Sequence, residues 1–299
     1  VNTMDDSKRK TAIKIAAATT GAYALGRFLR WNNKSIVTTE YMYKNEKLPD
    51  DFGRFRIAQV SDIQSEYFGQ EQSDLIDAVQ KTEPDVIVVT GDLLDRNHTL
   101  YNAALDAMVG LIAIAPVYYI NGNHELALPE DDSWSFYRVL EDIGIHVIFD
   151  KTETFEFQGT KINMIGLSEY TLYFAKEEGW KNGEYLEPDV IRRQLDDLCA
   201  EKDDDAVLNI LLAHEPQYIR HYARRGIDII FSGHAHGGQF RMPNGQGLYA
   251  PGQGVLPWLT SGAHQMGQST MYISRGLGNS IFPFRLNNRP EIVVVNVEK

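Results

Sequence analysis

One cysteine, Cys199, occurs in the 299 residues, so no disulfide can form within the chain and thiol usage does not point to a redox compartment. There is no cysteine–histidine spacing of a zinc finger and no glycine-rich nucleotide loop. Basic residues are short: 29 Lys and Arg against 41 Asp and Glu leave a net charge of -12. That balance argues against a general nucleic-acid binder, whose affinity comes from neutralising phosphates. It leaves a phosphate substrate open, because bound cations would supply positive charge locally. No internal repeat and no low-complexity run appears, which excludes a solenoid. What remains is an ordinary globular balance, 43% hydrophobic and 23% charged, enough for one large or two ordinary domains with a sizeable core.

A long uninterrupted apolar run is also missing. Lys8-Arg9-Lys10 precedes a mostly small and apolar stretch from Ile13 to Leu29, but its uncharged part, Ile15 to Gly26, is shorter than the roughly 20 residues a membrane span needs. Lys14 and Arg27 could snorkel and lengthen it. The stretch from 1 to 31 is expected to be a weak membrane anchor or signal, with an amphipathic helix packed on the domain as the plain alternative. An uncleaved anchor would keep the basic cluster cytoplasmic and the remainder extracytoplasmic; a wholly cytoplasmic chain is the other possibility. Residues 32 to 53 read as a linker with one short strand near Ile36 to Tyr43, and the main domain runs from 54 to 299.

Within that domain, apolar strand-like runs each end in a turn rich in ligand-type side chains. Phe55 to Val60 leads into Ser61-Asp62-Ile63-Gln64, and Val86 to Thr90 into Gly91-Asp92-Leu93-Leu94-Asp95. Val117 to Ile120 leads to Gly122-Asn123-His124-Glu125, and Leu208 to Leu212 into Ala213-His214-Glu215-Pro216. Ile227 to Phe231 leads to Gly233-His234-Ala235-His236-Gly237-Gly238-Gln239. Strands that repeatedly deliver Asp, Asn and His to one edge describe a shared site, since ligands of open α/β sheets collect at the carboxyl ends of strands. Helical periodicity over Glu71 to Gln80, Leu100 to Ile114, Ser133 to Asp142 and Pro188 to Ala200 separates these runs. Val147 to Ile165 reads as two or three strands and Ser269 to Val297 as strand-rich. Two packed, mixed sheets with helices outside follow from this order.

The five ordered motifs resemble the calcineurin-like metallophosphoesterase family, over roughly Arg54 to Val297. The tail, Tyr272 to Gly278 and Pro283-Phe284-Arg285, is similar to the bacterial branch whose members carry N-terminal anchor or export segments. The resemblance implies an α/β (α+β) fold: a four-layer αββα sandwich of two mixed sheets with a dinuclear metal site at strand ends. It implies a metal-dependent hydrolase that cleaves phosphoester or pyrophosphate bonds by attack of a metal-bridging hydroxide. Its substrate would be a phosphorylated small molecule or lipid, either lipid-linked or a nucleotide diphosphate.

By the same resemblance Asp92 bridges two metals. Asp62, Asp92 and His236 hold the first; Asp92, Asn123, His214 and His234 hold the second. Oxygen and imidazole donors suit manganese, iron or zinc better than calcium. Gln64 departs from the family, which usually has histidine there. A carboxamide oxygen is a neutral, weaker donor, so Gln64 is expected to ligate weakly, through water, or not at all, and manganese is favoured slightly. His124 is expected to face the substrate and to stabilise the transition state or protonate the leaving oxygen, making His124 and Asp92 the catalytic pair. Glu125 and Asp95 are expected to orient ligands through hydrogen bonds. His98, His146, His221 and His264 are read as ordinary surface or packing residues. Arg275 and Arg285 read as surface ion-pair formers or phosphate contacts. Tyr170, Tyr173, Phe174, Trp180 and Tyr185 lie in a long loop or cap. A degraded centre on a binding scaffold is the rival reading, supported only by Gln64.

Overall fold

The computed structural model describes residues 6–178, 180–181, 184–185, 189–279 and 282–299. Two six-stranded mixed sheets form the body. The first has the order Val37–Lys44, Glu291–Glu298, Phe55–Val60, Val86–Thr90, Val117–Ile120, His146–Val147. Its last four strands are mutually parallel, and Glu291–Glu298 runs antiparallel to Phe55–Val60. The second has the order Gly262–Met266, Ser269–Ile273, Ile229–Ser232, Leu208–Ala213, Thr160–Leu167, Lys151–Phe157. Its four inner strands are parallel and both outer ones antiparallel.

Alternation along each strand builds the layers. Ile57, Val86 and Val88 of the first sheet meet Ile162, Leu208, Ile210 and Phe231 of the second in one buried cluster. The opposite faces, through Ala58, Val60, Ile87 and Val89, cover Leu75, Val79, Ala107 and Leu111 of the helices Ser73–Gln80 and Tyr101–Ile112. On the far side, Ile165, Leu211 and Ile230 pack on Ile191, Leu195 and Leu198 of the helix Asp189–Ala200. The result is the expected αββα sandwich. Val86–Thr90 is buried at every position, as a central parallel strand covered on both faces must be.

The N-terminal segment corrects the expectation of membrane anchoring. Asp6–Lys34 is a single helix of 29 residues, long enough to cross a bilayer. Yet no helix among the described residues is both long and apolar enough to cross a membrane. Lys10, Lys14, Arg27 and Arg30, with interspersed Thr, Gly and Asn, dilute its hydropathy. The membrane-associated placement, with an extracytoplasmic domain, is therefore overturned. The end of this helix is attached to the body instead: Asn32 is buried, and Arg289 stacks its guanidinium 4.8 Å from the Trp31 ring. The next strand, Val37–Lys44, pairs in parallel with Glu291–Glu298 along its whole length.

Candidate metal centre

Five turns at the carboxyl ends of parallel strands converge on one point. Three come from the first sheet and carry Asp62, Gln64, Asp92, Asn123 and His124. Two come from the second and carry His214, His234 and His236. The centre thus lies where the edges of two stacked sheets meet, rather than along one edge. Asp62, Gln64, Asp92, His234 and His236 all have positive φ, between 45° and 64°. Strained backbone of this kind persists where surrounding structure over-determines it, and it clusters at functional sites. Gly91, at φ 87°, meets a steric limit: a Cβ there would lie 2.7 Å from both Gly122 N and His214 Nδ1.

Two triads could each hold a cation: Asp92, His214 and His234, and Asp62, Asp92 and His236, with ligand atoms within 4.8 Å of one another in each. Asp92 belongs to both. Its Oδ2 lies 3.4 Å from His214 Nε2, while its Oδ1 accepts from the His124 backbone N–H at 2.9 Å. Asn123 Oδ1 sits 3.3 Å from His214 Nε2, and His236 Nε2 sits 3.4 Å from Asp62 Oδ1. Gln64 reaches the centre but presents its nitrogen, with Nε2 donating to Asp92 Oδ2 at 2.8 Å.

Electrostatics match a cation site. Asp62 and Asp92 are buried beside one another. Burial, with the Asp92 charge adding to it, pushes the Asp62 carboxyl up to about 6 despite the opposing pull of His214. Burial acts on Asp92 in the same direction, but His214 and His124 outweigh it and hold that carboxyl well below the usual range. Burial would lower His214, yet Asp92 raises it well above its ordinary value. Two buried carboxylates amid imidazole and amide donors fit a pair of divalent ions, whose binding would displace the His214 proton.

Supporting contacts hold the turns. Glu125 takes the backbone N–H groups of Asp92, Leu94 and Gly122 at 3.0, 2.7 and 2.8 Å. Asp95 Oδ1 accepts from Asn97 N–H at 2.6 Å and lies 3.8 Å from His124 Nδ1. That His124 nitrogen accepts from the Arg96 backbone N–H at 3.2 Å. His124, Asp92, Asn123, His234 and His236 line a cleft of about 110 Å³, whose other walls include Arg96, Gln239, Tyr249, Pro251 and Phe282. A wider cleft of about 500 Å³ adjoins it through Arg96, Asn123, His234 and Pro251.

Other expectations resolve locally. His98 is exposed, His146 stacks on Tyr118 and pairs with Glu153, and His264 bonds to Ser261 O. Arg275 pairs with Glu291 at 2.8 Å. Arg285, read as a surface or phosphate-contacting residue, is instead fully buried behind His236. Tyr173 lines the wider cleft, whereas the Phe174, Trp180 and Tyr185 side chains lie outside the described residues. Arg96, Tyr249 and Phe282 escaped sequence reasoning. Arg96 directly follows Asp95, a signal that was there to use; Tyr249 and Phe282 come from distant segments and had none.

The sequence profile of the calcineurin-like phosphoesterase family matches residues 55–238, most of the chain including all five turns. The chain belongs to that family, a family of hydrolases that bind a dinuclear metal site. It is 28% identical over 284 residues to the uncharacterized metallophosphoesterase YkuE of Bacillus subtilis strain 168, covering 93% of this chain and 90% of that one. It is 24% identical over 251 residues to the phosphodiesterase YaeI of Escherichia coli K12, covering 83% and 84%. The solved structure of TT1561 from Thermus thermophilus superposes at a TM-score of 0.49 with 12% identity, over 75% of this chain and 90% of that one.

Proposed function

We propose that the chain hydrolyses a phosphoester or pyrophosphate bond at a dinuclear centre bridged by Asp92. The observation that carries this reading is the pair of buried triads that share the Asp92 carboxylate. Asp62, Gln64, Asp92 and His236 would hold the first metal, with Gln64 as its weakest donor. Asp92, Asn123, His214 and His234 would hold the second. When bound, such a pair supplies a nucleophile at neutral pH and neutralises charge on the phosphoryl oxygens. Manganese is the metal we favour, on the oxygen-rich donor set.

The remaining chemistry belongs to the protein. His124 Nδ1 accepts from Arg96 N–H, which puts the ring proton of the neutral imidazole on Nε2. In that tautomer the Nε2–H can donate a hydrogen bond to a departing alkoxide. The apolar wall of Tyr249, Pro251 and Phe282 offers a surface to a nucleobase or an acyl chain on the leaving group. A lipid-linked phosphoester or a nucleotide diphosphate is the substrate class this favours, and the phosphodiesterase relative agrees with a diester.

The test is metal content of the purified chain together with hydrolysis of bis(p-nitrophenyl) phosphate. Two metals per chain and metal-dependent turnover are expected. Asp92→Asn should abolish most turnover and release at least one metal, because the bridge loses its charge. Full turnover with both metals retained in that variant would refute the bridging role. No turnover under any metal would leave a binding scaffold.

A further inference from the structure

Arg285 is the largest fully buried side chain among the described residues, and its guanidinium bonds to two backbone carbonyls and faces His236. Nη1 donates to Arg275 O at 2.7 Å and Nη2 to Gly278 O at 2.5 Å. Nη2 also faces His236 Nδ1 at 3.3 Å. The backbone is held from the other side by the end of the N-terminal helix. Arg285 N–H donates to Asn33 Oδ1 at 2.7 Å, and Asn32 Nδ2 donates to Arg285 O at 3.0 Å. The guanidinium is therefore fixed against the histidine.

A guanidinium has only donors, so His236 Nδ1 accepts and the ring proton lies on Nε2, the nitrogen that faces Asp62. A histidine ready for a metal is organised the opposite way. Its far N–H donates to an acceptor, and the near nitrogen keeps a free lone pair. His214 has the far half of that arrangement: Nδ1 meets Thr90 O, an acceptor only, at 2.7 Å, while Nε2 turns to Asp92 and Asn123, where a bound metal would take the place of its proton. Ligation by His236 Nε2 would move its proton to Nδ1, against a cation that can only donate. Gln64 adds a second cost at the same position. Its NH₂ is spent on Asp92, while Oε1 is buried without a hydrogen-bond partner, so ligation through oxygen requires the amide to turn.

We propose that Arg285 makes the two metal positions unequal. The position of Asp92, Asn123, His214 and His234 fills first and tightly. The position of Asp62, Gln64, Asp92 and His236 is held weak by Arg285 and fills last, so that hydrolysis follows the supply of free divalent metal. This rests on the two-metal reading of the site.

The experiment titrates Mn²⁺ into the full chain after metal removal and follows bound metal by calorimetry, without substrate. Wild type should show two steps at least about tenfold apart. Asp62→Asn should remove the weaker step alone. Arg285→Met, which deletes both donors and charge, should tighten the weaker step by about tenfold and leave the stronger one unmoved. Damage to the fold would loosen binding, not tighten it. Asn33→Ala, which releases the Arg285 backbone, should tighten the same step by a smaller factor and serves if the methionine variant does not fold. Equal steps in wild type, or failure of the weaker step to tighten, would overturn the proposal. Absence of any bound metal would instead overturn the two-metal reading.

Discussion

His124 and Asn123 are neighbours in one turn yet do different work. Asn123 directs Oδ1 toward His214, while the His124 backbone N–H holds Asp92 and its ring lines the cleft. Neither nitrogen of His124 enters the two triads. His124→Ala should therefore lower turnover by about a hundredfold or more, the range of a lost general acid, while metal content stays at the wild-type level. Calorimetric metal titration beside a rate measurement checks this. Loss of metal would make His124 a ligand.

At the scale of the element, three of the five turns, those of Asp62, Asp92 and His234, bend the backbone through a region that non-glycine residues avoid. A left-handed residue costs of order 1–3 kcal/mol. The compensation is visible. Glu125 collects three backbone N–H groups from two turns, and Gln64 N and Ser65 N donate to Asp92 O and Leu93 O at 2.9 Å each. Gly91 is the narrowest point, since a side chain there would press on His214 and on the Gly122 backbone. Gly91→Ala should cost about 1–3 kcal/mol in urea unfolding and should weaken the stronger metal step, because His214 must shift. An unchanged metal affinity would mean that the turn relaxes away from His214.

Across the whole molecule, the proposed centre would draw its ligands from both sheets: Asp62, Asp92 and Asn123 from one, His214, His234 and His236 from the other. Bound metal would add a cross-link between two layers joined by apolar packing and by hydrogen bonds such as that of His214 Nδ1 to Thr90 O. Ligand bound only to the folded state stabilises it, by about 2.7 kcal/mol at a hundredfold excess over its dissociation constant. Stripping metal with a chelator should lower the thermal midpoint by several degrees, with recovery on adding Mn²⁺. A midpoint that ignores the chelator would show that metal adds nothing to the stability of the two layers.

Strand-turn order, αββα layering and family membership are legible in the chain alone. They rest on local chemistry: apolar runs such as Val86–Thr90 and the Asp, Asn and His turns that follow them lie within a few residues of one another. Helix bounds are legible to within three residues, as in Glu130–Asp142 where Ser133 to Asp142 is expected. The expectation of membrane anchoring fails because small and charged residues among the apolar ones leave the N-terminal helix too polar to cross a bilayer. Tertiary packing was needed to learn that two sheets share the centre, that Gln64 offers nitrogen to Asp92, and that Arg285 is buried behind His236. The same packing sets His214 against an acceptor and His236 against a donor. Contacts between residues 49 positions apart, such as Arg285 and His236, follow from how the sheets close on each other, and no periodicity in either segment encodes them.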